Sequence, residues 1–227
     1  ENGVMVAAGK YGIKFLGKEK FLANTKDYTD LILKTKIADP DIVEGIMTPP
    51  DSIAAVKQMR ELNYQPRIMS IKRGIDLYGV IQPAHPYLDG FLTVLPWNED
   101  LTFPFTEISK DFEKEKGYPI DGASPCHRYA DKEVLVQLIE FAGTFEDKDR
   151  LYEALITNTF QTCLGPKKFH PDGTTDITIH VLNIQNKLRK TVYPFDAAST
   201  KVWYPMPTWA EKFPAVGEYK PPPSVPP

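Results

Sequence analysis

The side chains of this 227-residue chain best equipped for chemistry are four histidines, two cysteines and 30 carboxylates, and their spacing decides what they can do. His85, His127, His170 and His180 fall in four different segments, and none stands in the paired spacing with which one helix grips zinc. Cys126 and Cys163 are too few for a disulfide framework and lack metal-ligand spacing. Two separate buried thiols are expected, with a single bridge open as the alternative in an oxidising compartment. No Gly-x-Ser-x-Gly occurs, so Ser70 and Ser124 have no nucleophile elbow. None of the 14 glycines clusters between a strand and a helix, where backbone amides would cradle phosphate. The conspicuous carboxylate pairs, Asp147 with Asp149 and Glu113 with Glu115, read as solvated helix surface. No metal, cofactor or local catalytic motif is expected, and an enzyme would have to use dispersed residues, such as an acid pair assembled from distant segments.

The elements that must position these groups alternate. Asn2 to Tyr11 reads as a helix closed by Gly12, Ile13 to Leu16 as a short strand, and the stretch from Asp27 to Asp39 as a second helix ended by Pro40. Asp41 to Met47 reads as a strand, and Thr48-Pro49-Pro50-Asp51 opens a helix carrying Ile53, Val56, Met59 and Leu62. Pro66 to Ile71 and Gly90 to Leu95 read as two further strands, with a short helical piece near Ile75 to Ile81 between them. Such alternation predicts right-handed crossovers and a doubly wound parallel sheet, an α/β fold. Beyond Pro96 the pattern turns helical, over Phe105 to Lys116, Tyr129 to Ala142 and Asp147 to Thr157. The chain then becomes extended, with a hairpin of Ile177 to Gln185 and Leu188 to Val192 about Asn186-Lys187. The proline-rich stretch from Lys201 to Pro227 is expected to run over the surface.

Charge excludes one class of partner. Lys and Arg total 27 against 30 Asp and Glu, a net charge of -3 with no basic block, so nucleic acid is not an expected partner. No window reaches the roughly 18 consecutive apolar residues of a membrane span, and no insertion is expected. The opening Glu1-Asn2-Gly3-Val4 reads as the middle of a helix, so the chain is expected to be cut from something longer.

Four passages carry a resemblance. Pro40-Asp41-Ile42-Val43 with Asp51 to Leu62, Leu88-Asp89-Gly90-Phe91 through Pro96-Trp97, Tyr129 to Gly143, and Leu164-Gly165-Pro166 through Asp172-Gly173 with Val181 to Lys187 follow one another in a familiar order. Together, from about residue 3 to residue 195, they resemble the type I periplasmic solute-binding proteins of ABC importers, the family that includes the branched-chain amino-acid (Leu/Ile/Val) binders. The resemblance implies two doubly wound α/β lobes joined by a hinge that the chain crosses three times. It assigns residues 1–93 to the C-terminal lobe, 94–158 to returning helices of the N-terminal lobe, and 159–227 to C-terminal lobe strands, hairpin and tail. The first half of the family's chain, with most N-lobe contacts, is absent from this sequence. The helices from Phe105 to Asn158 would cover a sheet supplied by that missing N-terminal half, which becomes an expected partner beside ABC permease subunits.

The resemblance also implies a periplasmic or extracellular receptor, lipid-anchored or secreted, that closes its lobes on a small-molecule ligand without turning it over. A sensory domain on the same fold is the alternative, and an α/β enzyme a more distant one. Doubly wound folds place ligands at the C-terminal ends of the strands. By family position those ends offer Thr48, Pro49 and Asp51 after one strand and Lys72 and Arg73 after the next. The segment before the Tyr129 helix adds Pro125, Cys126 and, as the pocket-wall side chain, His127. Amino-acid binders offer an acid where this chain has Lys72 and Arg73. Two cations there favour a carboxylate-bearing or amide ligand over a simple neutral amino acid, and nearby Trp97 favours an aromatic one. Both cations as ordinary surface charge is the competing reading. Trp97 and Tyr129 are expected to pack or hinge.

Overall fold

A computed structural model describes residues 2–214 and divides them between a mixed sheet and a helical unit. Helix α1 (Asn2–Lys10) ends as Gly12 turns left-handed at φ 66°, and α2 (Thr29–Ala38) ends as Asp39 does the same at φ 46°. Between them the expected strand at Ile13–Leu16 is not formed. The segment is extended and exposed, with no neighbouring backbone to complete a ladder.

The sheet opens with three parallel strands, β1 (Ile42–Ile46), β2 (Ile68–Lys72) and β3 (Leu92–Leu95). Helix α3 (Pro49–Glu61) crosses from β1 to β2, and α4 (Tyr78–Ile81) lies between β2 and β3. Prolines at the first two positions of α3 remove amides that would have no helical partner, and the helix then buries Ser52, Ala55, Val56 and Met59 at near-helical spacing. These meet Met69 and Ile71, the inward residues of alternating β2, together with Tyr28 and Ile32 of the α2 region. Each fully buried member of this core, such as Ile71 or Phe91, contributes about 1.5–3 kcal/mol by leaving water.

The sheet continues antiparallel. Strands β6 (His180–Gln185) and β7 (Leu188–Tyr193) complete the order β1-β2-β3-β6-β7. Their turn puts Asn186 at φ 53° and Lys187 at φ 69°, the geometry of a two-residue hairpin whose twist matches its strands.

The helical unit holds α5 (Pro104–Lys116), α6 (Ala123–Ala142), α7 (Lys148–Thr157) and a hairpin, β4 (Thr159–Thr162) with β5 (Gly165–Lys168). Its own core gathers Trp97, Phe105, Ile120, Cys126, Ala130 and Cys163. Both thiols are buried and unbridged. The hairpin belongs to this unit by hydrogen bonding. Gln137 of α6 donates to the Gln161 carbonyl at 2.8 Å and accepts from its amide at 3.0 Å, while Glu133 accepts from the Cys163 amide at 2.6 Å. The chain rejoins the five-stranded sheet at β6.

The stretch from Lys201 also differs from expectation. Trp203, Met206 and Trp209 are buried, and the short helix α8 (Trp209–Lys212) forms behind a capping box of Thr208 and Glu211. This strap crosses the entry to β2, where the Met206 amide donates to the Arg67 carbonyl at 2.9 Å and Trp209 Nε1 donates to the Tyr64 carbonyl at 2.8 Å. Its apolar side chains outweigh its prolines. Residues 215–227 of the expected tail lie outside the described residues. Among the described residues no helix is long and apolar enough to cross a membrane, and no group of three His, Cys, Asp or Glu side chains could hold a metal ion.

Candidate functional site

The C-terminal ends of β1, β2 and β3 open toward the junction of the two units. After β1, Thr48 caps α3 with its carbonyl, which accepts from the Ser52 amide and hydroxyl, both at 2.9 Å. Its hydroxyl donates to Asp51 Oδ2 at 2.6 Å, and Tyr28 Oη donates to Oδ1 at 2.8 Å. Asp51 is buried, and these hydrogen bonds, that from Thr48 first, hold its carboxyl below the usual range. The structure thus turns Asp51 inward, where it fastens α3 to the α2 region. Thr48 stays exposed, and Pro49 is the half-buried first residue of α3.

After β2 the two cations separate. Lys72, the last residue of the strand, reaches across to Glu44 of β1 at 2.7 Å. Arg73 is exposed, with its backbone at φ 68°. Gly74 then presses the loop against α3, since a Cβ there would lie 1.8 Å from Ser52 Oγ and 2.9 Å from the Met47 carbonyl oxygen. The loops after β1 and β2 are therefore packed directly on each other, with Arg73 presented beside them.

From the other unit comes α6, which starts at Ala123, six residues earlier than the sequence reading placed it. Pro125, Cys126 and His127 thus lie in its first two turns rather than in a preceding loop. Proline is compatible with a first helical turn. Cys126 points into the helical core, where burial pushes its thiol up to about 11. Cys163, buried and close to the Glu133 carboxylate, is pushed up to about 12. His127 is half-buried, and burial followed by the charge of Lys167 holds its imidazole below the usual range. The start of α6 and the loop after β2 touch, because a Cβ on Gly122 would lie 2.6 Å from Leu77 Cδ2 and 3.8 Å from Asp76 Oδ2.

At that seam sits a cluster absent from the sequence reading. Arg189 of β7, 2% exposed, pairs with Glu99 and, at 3.2 Å, with Asp121. It also donates to the Asp76 carbonyl and lies 4.1 Å over the Tyr78 ring. Asp121 accepts from the Tyr78 amide at 2.9 Å and the Gly79 amide at 3.2 Å. One buried guanidinium thereby ties the last sheet strand, the crossover after β2, the chain leaving β3 and the entry to α6. Asp76 is half-buried, and burial raises its carboxyl above the usual range. The arrangement fixes these charges and donors in a buried network where the two units meet. Trp97 packs edge-on against Phe105 at 4.9 Å inside the helical core.

A sequence profile described as periplasmic binding protein matches residues 1–188. The chain belongs to that family. A putative branched-chain amino acid ABC transporter protein from Silicibacter pomeroyi has the same fold at 16% identity and a TM-score of 0.72, over 90% of this chain and 57% of its own. The leucine binding protein of Thermotoga maritima matches at 18% identity and a TM-score of 0.66, over 75% of this chain and 49% of its own. A solute binding protein of R. palustris in complex with benzoate matches at 17% identity and a TM-score of 0.66, over 83% and 53%. The chain thus spans about half the length of these solved structures.

Proposed function

We propose that this chain is part of an extracytoplasmic receptor that captures a small solute for an ABC importer, binding it between two lobes without chemistry. The solved relatives include proteins described as binding leucine and in complex with benzoate. Of these two chemistries a carboxylate without a neighbouring ammonium fits this chain better. The observation that carries the reading is Arg73, exposed at the end of a parallel strand beside the seam, while its neighbour Lys72 is engaged by Glu44. A guanidinium at a cleft can clamp a carboxylate through two parallel hydrogen bonds. His127 lies in the first two turns of α6, near the charges of Lys167 and Asp131.

The second lobe is completed by the other half of the same protein. Helix α6 buries Cys126, Ala130 and Val134 along one side yet exposes Leu135 (55%), Val136 (57%) and Ile139 (36%) on another. A helix apolar on two sides is a buried helix, so these residues meet a covering layer. Permease subunits are the partners of the closed, loaded form. Thermal denaturation of the complete two-lobed protein with amino acids, amides and aromatic acids tests the reading. A ligand at 100 times its dissociation constant stabilises by about 2.7 kcal/mol, which raises the midpoint by several degrees. Carboxylates are expected to do so. Silence across the set, or turnover of one of its members, contradicts the proposal.

A further inference from the structure

Where the sheet and the helical unit meet, three hydrogen bonds end on one side chain. Asp121 lies two residues before α6 begins, in the chain of the helical unit. Its carboxylate accepts from the Tyr78 and Gly79 amides of α4 at 2.9 and 3.2 Å and from Arg189 Nη1 at 3.2 Å. All three donors belong to the sheet and its crossover. Beside it, a Cβ on Gly122 would lie 2.6 Å from Leu77 Cδ2, so the two units approach there as closely as a missing side chain allows.

The helical unit does not need this carboxylate for itself. Helix α6 has Gly122 at its N-cap and takes no side-chain cap, so Asp121 closes no helix of its own. Helix α4 has Leu77 in that place, which carries no acceptor, and its first amides need one from another segment. Arg189, its side chain 1% exposed, is better provided. It keeps Glu99, which stands four residues after β3, together with the Asp76 carbonyl and the face of Tyr78. Parting the units would return the Asp121 carboxylate, already 30% exposed, and the α4 amides to water while leaving the guanidinium neutralised. That cost is moderate, unlike the cost of stranding a buried charge, and a moderate cost suits a contact that opens and closes. Apolar packing does not weld the junction, for the core beneath α3 and the core beneath α6 share no residue among those described. Units joined by polar contacts are free to move against each other.

We propose that Asp121 is a latch that holds the two units closed by capping α4 and pairing with Arg189 from across the junction. It is a positioning residue, acting on the approach of the units and not on the solute, and the inference rests on the two-lobed reading above. Only the fraction of protein in the binding-competent form contributes to apparent affinity, so such a latch tunes affinity without touching the ligand.

The test is the distance between two nitroxide labels in the complete two-lobed protein without solute, measured by pulsed electron spin resonance. Lys57→Cys on α3 and Lys114→Cys on α5 put one label on each unit at exposed positions. Cys126 and Cys163 are buried, and their raised thiols stay unlabelled. Asp121→Ala should raise the ratio of long to short distances by about tenfold or more. Asp121→Asn should raise it less, and Asp121→Glu, which keeps the charge and both acceptors, should return it most of the way to that of the unsubstituted protein. Coincident distributions for aspartate, alanine and asparagine overturn the proposal. So does earlier melting of these variants at unchanged distance, as a merely structural residue would give, or an equal shift with glutamate. No solute enters the measurement, so its failure leaves the receptor reading standing, and a protein that binds no solute can still show the latch.

Discussion

At the scale of residues, the two neighbouring cations of the β2 end have different fates, and the difference is measurable. Lys72 is neutralised across the sheet by Glu44, whereas Arg73 stands exposed on a left-handed backbone. Arg73→Glu should weaken binding of a carboxylate ligand by at least about tenfold in a calorimetric titration, since it replaces an attraction with a repulsion. Lys72→Gln should change it several-fold less. Equal effects would place the ligand elsewhere. A buried cation lies at the opposite end of the sheet. Lys212 is 1% exposed, donates to the Tyr87 carbonyl at 3.3 Å and faces the rings of Phe91 and Trp209 at 4.9 and 4.7 Å. Burial lowers its pKa to about 7, with the charge of Asp89 opposing. The native state therefore holds this proton more weakly than the unfolded chain, whose lysine titrates near 10.4. The penalty is present in full below pH 7 and is relieved as pH rises. Stability should climb between pH 7 and 8.5, by at most about 1.4 kcal/mol per pH unit, and Lys212→Met should flatten that rise in denaturant titrations.

At the scale of elements, the strands β1, β2 and β3, the hairpin β6–β7 and most helices were legible because their signals are local: alternation, paired prolines, a left-handed Asn-Lys turn. What escaped depends on distant partners. Ile13–Leu16 has strand composition, yet a strand exists only where another backbone completes its ladder. The start of α6 was read late because Pro125 resembles a loop residue, although a first turn has no use for its missing amide. The strap was read as surface because prolines dominate its composition, while Trp203, Met206 and Trp209 decide its burial. The ends of β1 and β2 fall close to where the sequence put them. The seam was not legible, because Arg189, Glu99, Asp121 and Tyr78 meet only in three dimensions. The one local trace is an arginine among the inward positions of β7. Packing between the loops after β1 and β2 is tight enough to test. Gly74→Ala drives a methyl group onto Ser52 and the Met47 carbonyl, and should cost about 1–3 kcal/mol in chemical denaturation. The double variant with Ser52→Ala should recover part of that loss.

At the scale of the whole molecule, the chain spans about half the length of the solved structures it resembles, and the exposed apolar side of α6 fits our proposal that the other half of the protein covers it. Doubly wound folds place ligands at the C-terminal ends of their strands, so under that proposal each half contributes one wall of the cleft. The buried Arg189 cluster lies where the chain passes between the sheet and the helical unit. The most direct test of the central claim is equilibrium titration of the complete two-lobed protein with benzoate and with leucine, followed by recovery of the ligand. The account predicts saturable one-to-one binding that favours the carboxylate without an ammonium, with every ligand molecule recovered unaltered. Neither ligand binding, or either one returning chemically changed, would contradict it.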